Sequence, residues 1–240
     1  LKTNWYYIKA LLLLLFIGFL YGFANHKNRH RQLADIQVSF AGGTPLFIDH
    51  STVNKLLIQS AGTLENQPKS VVDLHKLEVQ ILSNPMIEDA SIYLTVDGLL
   101  KADIRQRTPI ARVFTESNNC YIDRKGGVMP VSENHTARVL TVTGHVSAKD
   151  SLEIHQLVST ILQDDFLHKQ LVGIERTPEN EYVLDTRTGG QRVQLGTLDR
   201  LERKCQKLVA FYRKAMADST LENYTHINLS YKHQVVCTKK

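Results

Sequence analysis

Ten histidines and three cysteines are the residues of this chain best suited to chemistry, and their spacing decides what they can do. No two histidines stand in a His-Glu-x-x-His or similarly short ligand spacing; His135, His145 and His155 fall on an expected loop, turn and helix, so no metal site is expected. Cys120, Cys205 and Cys237 lie far apart, odd in number and without Cys-x-x-Cys spacing, which argues against both a zinc site and a disulfide framework. One pair could form in an oxidising compartment; which pair is left open. Cys205 sits on an apolar helical stripe and Cys120 beside Tyr121 in a strand, so both read as small core residues rather than nucleophiles. A Gly-x-Ser-x-Gly elbow is missing. Asp164 and Asp165 are consecutive, so their side chains diverge by about a third of a helical turn and do not face each other as an acid–base pair. Gly42-Gly43-Thr44 lacks the Gly-Lys-Ser/Thr ending of a phosphate loop. The aromatics between Tyr224 and Tyr231 are too few and too acid-flanked to stack nucleic-acid bases. The expectation is a protein that is not an enzyme, with no cofactor, no metal, no small-molecule substrate and no nucleic-acid partner.

The chemistry that remains is backbone hydrogen bonding. Ile227, Leu229 and Tyr231 alternate with polar residues in a last strand. A strand at a sheet edge keeps one row of N–H and C=O groups free, to which a partner segment can add itself. Asn228, Ser230 and Lys232 would then supply selectivity. The same residues are compatible with an interior strand, or with an edge blunted by Lys232 and His233.

These residues need a scaffold, and composition bounds it. With 240 residues, 42% apolar and 22% charged, the chain is an ordinary globular protein of one large domain or two small ones. Its net charge of +5 is spread among mixed charges, which reads as a solvated surface. Trp5 to Ala24 is apolar apart from Lys9 and, as a helix, about 30 Å long at ~1.5 Å per residue, enough for a hydrocarbon core of ~30 Å. Trp5, Tyr6, Tyr7 and Tyr21 are placed as interfacial aromatics, and Lys9 can snorkel outward. A cleaved signal peptide ending at Ala24 is the alternative, since Gly22-Phe23-Ala24 places small residues correctly. Lysines and arginines flank the span on both sides. Counted alone they place the large domain in the cytoplasm. The chain opens on Leu1, so an upstream tail is expected to be missing.

Beyond the polar stretch 25–35, Ile36, Val38 and Phe40 alternate as a strand and Gly42-Gly43 breaks the chain. A helix then starts at Ser51 as N-cap, carries Val53, Leu56, Leu57 and Ala61 on one face, and stops at Gly62. Asp73 caps a second helix with Leu74, Leu77, Ile81 and Leu82 inward, ended by Asn84-Pro85. Ala90, Ile92, Leu94 and Val96 form a strand, Asp97-Gly98 a turn, and a second strand runs through Ile104 to Arg107. The order β-α-α-β-β puts two amphipathic helices on one face of a three-stranded sheet.

From about Ser117 the chain is strand-rich with two helices. Strands at 119–122 and 128–131 flank the turn Asp123-Arg124-Lys125-Gly126-Gly127, and another strand covers Leu140–Gly144. Ser147 to Asp150 reads as a capping box opening a helix with Ile154, Leu157, Val158, Ile161 and Leu162 inward. Strands follow at 172–176, 182–187 and 191–195, the last two joined by a two-residue hairpin at Gly189-Gly190. A long helix with Leu201, Cys205, Leu208, Tyr212 and Ala215 on one face precedes the strand Ile227–Tyr231.

The stretch from Asp73 to Phe114, ending in Arg107-Thr108-Pro109-Ile110-Ala111-Arg112, resembles the end of a POTRA module. Its wording resembles the bacterial cell-division family FtsQ/DivIB. Further matches are Phe47-Ile48-Asp49 with Val53, the Asp123 turn, Leu140–Gly144, Leu195-Gly196 and Ile227, Leu229 and Tyr231. Thr141 stands where the family has a proline, and Asn228 and Ser230 where an acid and an arginine are usual. The resemblance implies an α+β chain: a short segment 1–4, a transmembrane helix over 5–24, a linker over 25–35, a POTRA-like domain over 36–115 and a strand-rich domain over 116–240. It implies structural roles for Leu77, Pro85, Ile92, Arg107, Pro109 and Ala111. It further implies a single-pass scaffold of the inner (cytoplasmic) membrane with its carboxy-terminal domains outside the cytoplasm; this is followed against the charge count. Partners of the FtsB/FtsL type would dock at Ile227, Asn228, Leu229, Ser230, Tyr231 and Lys232. A POTRA-bearing export or envelope-assembly component should carry several such modules or a barrel. A secreted enzyme is the remote alternative.

Overall fold

The computed structural model describes residues 5–29, 35–42, 46–61, 72–115 and 119–240. Helix α1 runs Trp5–Arg29, with an apolar span over Trp5–His26 of mean hydropathy 2.0. It continues past Ala24, because nothing in Asn25–Arg29 breaks a helix. Half of the expected linker is therefore helical, while 30–34 and the segment 1–4 lie outside the described residues. Lys9 Nζ lies 5.8 Å from the centre of the Trp5 ring, one turn back toward the end of the span, as snorkelling requires.

The chain divides into two compact units, with the boundary between Gln106 and Arg107 and α1 counted in the first. In the first, strands β1 (Asp35–Phe40), β2 (Ile87–Leu94) and β3 (Leu99–Gln106) form a sheet of order β1-β3-β2. β1 runs parallel to β3 and β2 antiparallel to it. Helices α2 (His50–Ala61) and α3 (Leu74–Leu82) make the connection between β1 and the hairpin. Val53, Leu57, Leu77 and Ile81 from the helices pack with Ile92, Leu100, Ala102 and Ile104 from the sheet. Asp73 caps α3, accepting from the Lys76 N–H at 3.0 Å.

The cap of α2 is Asp49 rather than Ser51: its carboxylate accepts from the Thr52 N–H at 3.0 Å and from the Ser51 hydroxyl at 2.9 Å. Gln106 pins the approach to this helix, its Oε1 accepting from the N–H of Phe47 at 2.9 Å and of Ile48 at 3.3 Å. Val96 falls beyond β2, in the turn, and is exposed. Leu82, the last residue of α3, is also exposed. Gly43 and Gly62 lie outside the described residues.

The second unit is built on a nine-stranded sheet of order β12-β11-β10-β9-β8-β7-β4-β5-β6. Its strands are β4 (Pro109–Phe114), β5 (Asn119–Asp123), β6 (Val128–Pro130), β7 (Leu140–Gly144), β8 (Leu171–Arg176), β9 (Tyr182–Thr186), β10 (Arg192–Gly196), β11 (Tyr224–Asn228) and β12 (Val236–Lys239). β4 pairs with β5 and β7. It therefore belongs to this sheet, and the expected domain boundary at 115 moves back to Gln106. Three α-helices pack on the sheet where two were expected: α4 (Ser151–Leu162), the short α5 (Asp165–Gln170) and α6 (Leu201–Ala217). α5 exists because Asp164 turns its carboxylate onto the N–H groups of Phe166 and Leu167, which starts a new helix at once. All five residues of the expected α6 stripe are buried. The β9–β10 hairpin has a five-residue loop, Arg187 to Gln191, instead of a two-residue turn. The Thr186 hydroxyl closes it on the Gln191 carbonyl at 2.8 Å.

Candidate partner-binding edge

The expected docking strand is not an edge. β11 lies between β10, which it pairs in parallel with Val193 opposite Ile227, and β12, which it pairs antiparallel with Cys237 opposite Ile227. Ile227 and Leu229 are fully buried against α6. What looked like a last strand is an interior one, because a further strand returns from the turn after Tyr231 and covers it.

The open edge is β12. Leu229 turns its N–H toward β10, donating to the Gln194 carbonyl at 2.9 Å, so alternation points the His226 and Asn228 N–H groups at β12. Their partners Thr238 and Val236 then face inward, as does Lys240, whose N–H reaches the Asn223 carbonyl at 2.9 Å. Cys237 and Lys239 are left with N–H and C=O directed away from the sheet. At the opposite edge, β6 has three residues and ends in Pro130, a form of edge that discourages pairing.

The turn between β11 and β12 is built by several polar contacts. Asn228 Oδ1 accepts from the Ser230 N–H at 2.9 Å, and Asn228 Nδ2 donates to Gln194 Oε1 at 3.1 Å. Lys207, on α6, donates to the Leu229 carbonyl at 3.0 Å and the Tyr231 carbonyl at 2.6 Å. Gly196 makes room: a Cβ there would stand 2.9 Å from Ser230 Oγ, on a backbone with φ +74°. Outside this brace Tyr231 is half exposed and Val236 is 40% exposed. Arg200, Arg203, Lys207, Lys232 and His233 line a shallow cleft beside them. Burial, followed by the charges of Lys204 and Arg200, holds the Lys207 ammonium below the ordinary lysine range.

Of the six expected docking residues, Tyr231, Ser230 and Lys232 are exposed at the turn, Asn228 is half-buried and braces it, and Ile227 and Leu229 are core. Cys237, Lys239 and Lys207 were missed. The one sign of β12 in the sequence is the apolar run Val235-Val236-Cys237.

The six motif residues divide between the units. Leu77 and Ile92 are core of the first, and Pro85 is an exposed residue of its helix–strand break. Arg107, Pro109 and Ala111 belong to the second. Arg107 Nη1 meets Asp123 Oδ2 at 2.5 Å, while Asp123 Oδ1 accepts from the N–H groups of Lys125 at 2.8 Å and Gly127 at 2.7 Å. The Arg-x-Pro and Asp-x-x-Gly motifs are thus two halves of one clamp. It explains Gly127, where a Cβ would lie 2.6 Å from Arg107 Nη1.

Among the described residues no group of three or more His, Cys, Asp or Glu could hold a metal ion. Cys120, Cys205 and Cys237 are free thiols. Burial raises all three, Cys205 to about 11, which disfavours the nucleophilic thiolate.

Residues 36–105 match the model of a POTRA-like domain, and residues 108–238 match the model of the FtsQ/DivIB C-terminal related family. A curated relative is cell division protein FtsQ of Rhodothermus marinus, 26% identical over 170 residues, with 65% of this chain and 62% of the relative covered. The chain thus matches a little under two thirds of that relative's length. Among solved structures, the major extracytoplasmic domain of the cell division protein DivIB from Geobacillus stearothermophilus aligns with a TM-score of 0.33 at 14% identity, covering 47% of this chain and 93% of that one.

Proposed function

Because the chain belongs to the FtsQ/DivIB family, we propose that it is a non-enzymatic scaffold of the bacterial division machinery, held in the inner membrane by α1. Its two units lie outside the cytoplasm, where small membrane-anchored division proteins of the FtsB/FtsL type bind to support septum assembly. The observation that carries this reading is the open β12 edge, with outward main-chain groups at Cys237 and Lys239 and the half-exposed Tyr231 beside it. A partner segment adds as a tenth strand there. Main-chain hydrogen bonds supply affinity, and side chains around Tyr231 and Val236 supply selectivity.

The test is co-purification of the membrane-bound chain with the FtsB- and FtsL-type proteins of the same organism. Lys239→Pro removes an outward donor at the end of the ladder, opposite Tyr224, and spares the inward N–H groups of Val236 and Thr238, so the domain should fold and retention of the partners should fall at least about tenfold, or ~1.4 kcal/mol. If the variant retains its partners and supports septation, β12 is not the dock, and the POTRA-like unit becomes the place to look.

A further inference from the structure

Lys207 lies on a helix that contributes nothing to the sheet edge, yet its ammonium holds two carbonyls of the turn leading to β12. Three features make this more than a surface lysine. Leu229 and Tyr231 are two residues apart, and one ammonium donating to both carbonyls, at 3.0 and 2.6 Å, fixes the direction in which the chain leaves β11. Ser230 lies over Gly196, where a Cβ would stand 2.9 Å from its Oγ, so the turn sits close to the end of β10. The flanking residues Lys232, His233 and Gln234 are exposed. β12 itself contributes only the half-buried Cys237 to the core, joined by Val235 just before it. Its placement therefore depends on the turn more than on its own side chains.

We infer that Lys207 is a positioning residue for partner docking: by clamping the Leu229 and Tyr231 carbonyls it holds β12 in register and aims Tyr231 outward. The inference rests on the docking function proposed above, and it makes one demand that does not. The β12 amides must be ordered by Lys207 even when no partner is present. A neutral side chain of similar length, as in Lys207→Met, keeps the stem packed on α6 and removes both donors, whereas arginine restores donors at the same place.

Hydrogen exchange of the full chain in detergent tests the first demand. Val236 and Thr238, whose N–H groups pair with β11, should exchange about tenfold faster in Lys207→Met, with the α6 amides unchanged and the unfolding midpoint close to that of the parent. Retention of the FtsB-type partner should fall at least about tenfold, and Lys207→Arg should recover most of both effects. Unchanged exchange, or faster exchange with partner retention intact, overturns the inference. So does a fall in the midpoint of the whole domain in both Lys207→Met and Lys207→Gln, since the lysine would then serve the fold and not the turn. A parent chain that never retains the partner refutes the proposed function instead, and is told apart because the exchange result stands by itself.

Discussion

Arg107 and Asp123 bring together two motifs sixteen residues apart in the sequence. The Asp123 carboxylate is nearly inaccessible while Arg107 keeps 27% of its side chain exposed, so deleting the arginine leaves a buried carboxylate with its remaining backbone donors only. Arg107→Leu should therefore destabilise the second unit by about 3 kcal/mol, measured by denaturant unfolding. The pair was visible in the sequence as two separate signals; that they touch depends on the pairing of β4 with β5, which no local pattern reports. Asp49 supplies a pH-dependent counterpart in the first unit. Hydrogen bonds from the Thr52 side chain and backbone, then Ser51, lower its pKa to about 2. A carboxylate depressed in the folded state stabilises above its unfolded value near 3.8, and that contribution is lost as pH falls from there toward 2. Asp49→Ala should lower the unfolding midpoint of the first unit at neutral pH, and the gap to the parent should close across that window.

Helices were far more legible than strand order. The α6 stripe Leu201, Cys205, Leu208, Tyr212 and Ala215 could be read directly, since a period of 3.6 is a local property and each residue reports on its own face. In α3 the same held for Leu77 and Ile81 but not for the exposed Leu82, and Leu77 at 2% exposure gives a direct check: Leu77→Ala should cost about 2–5 kcal/mol in equilibrium unfolding. The start of α2 was misplaced by two residues because Asp49 and Ser51 are both good caps, and geometry alone chooses between them. α5 was too short to show a period. β12 was missed for a different reason: it has only four residues, two apolar and two polar, three of them exposed, and a strand held by main-chain pairing leaves little trace in side-chain pattern. The position of β11 inside the sheet followed from that omission. Tyr231, half-exposed beside the β12 edge, enters the proposed docking surface on that placement alone. Tyr231→Ala should weaken partner retention by about 2 kcal/mol while leaving the unfolding midpoint unchanged.

Across the whole molecule, the division into two units agrees with the two family matches, which meet between residues 105 and 108. The exposed apolar helix α1 is long enough to cross a bilayer, at about 37 Å for its 25 residues against a core of ~30 Å. The protein should stay with membranes through high-salt and carbonate washing, and protease should reach both units only when the outer compartment is opened. A soluble form beginning near Asn25 would replace the anchor with a signal peptide. The order of the sheet has a temporal consequence as well. Among the nine strands of this sheet β12 comes last in chain order and lies outermost in space, so on the exported placement proposed above it is the last of the nine to cross the membrane. Each neighbour inward, β11, β10 and β9, is itself drawn from the carboxy-terminal part of the unit. On the proposed docking, that strand is the last of the nine laid down, and a half-exported unit would offer a partner no completed edge. On that reading recruitment would wait for the sheet to be complete, and the order of the strands would act as a timer.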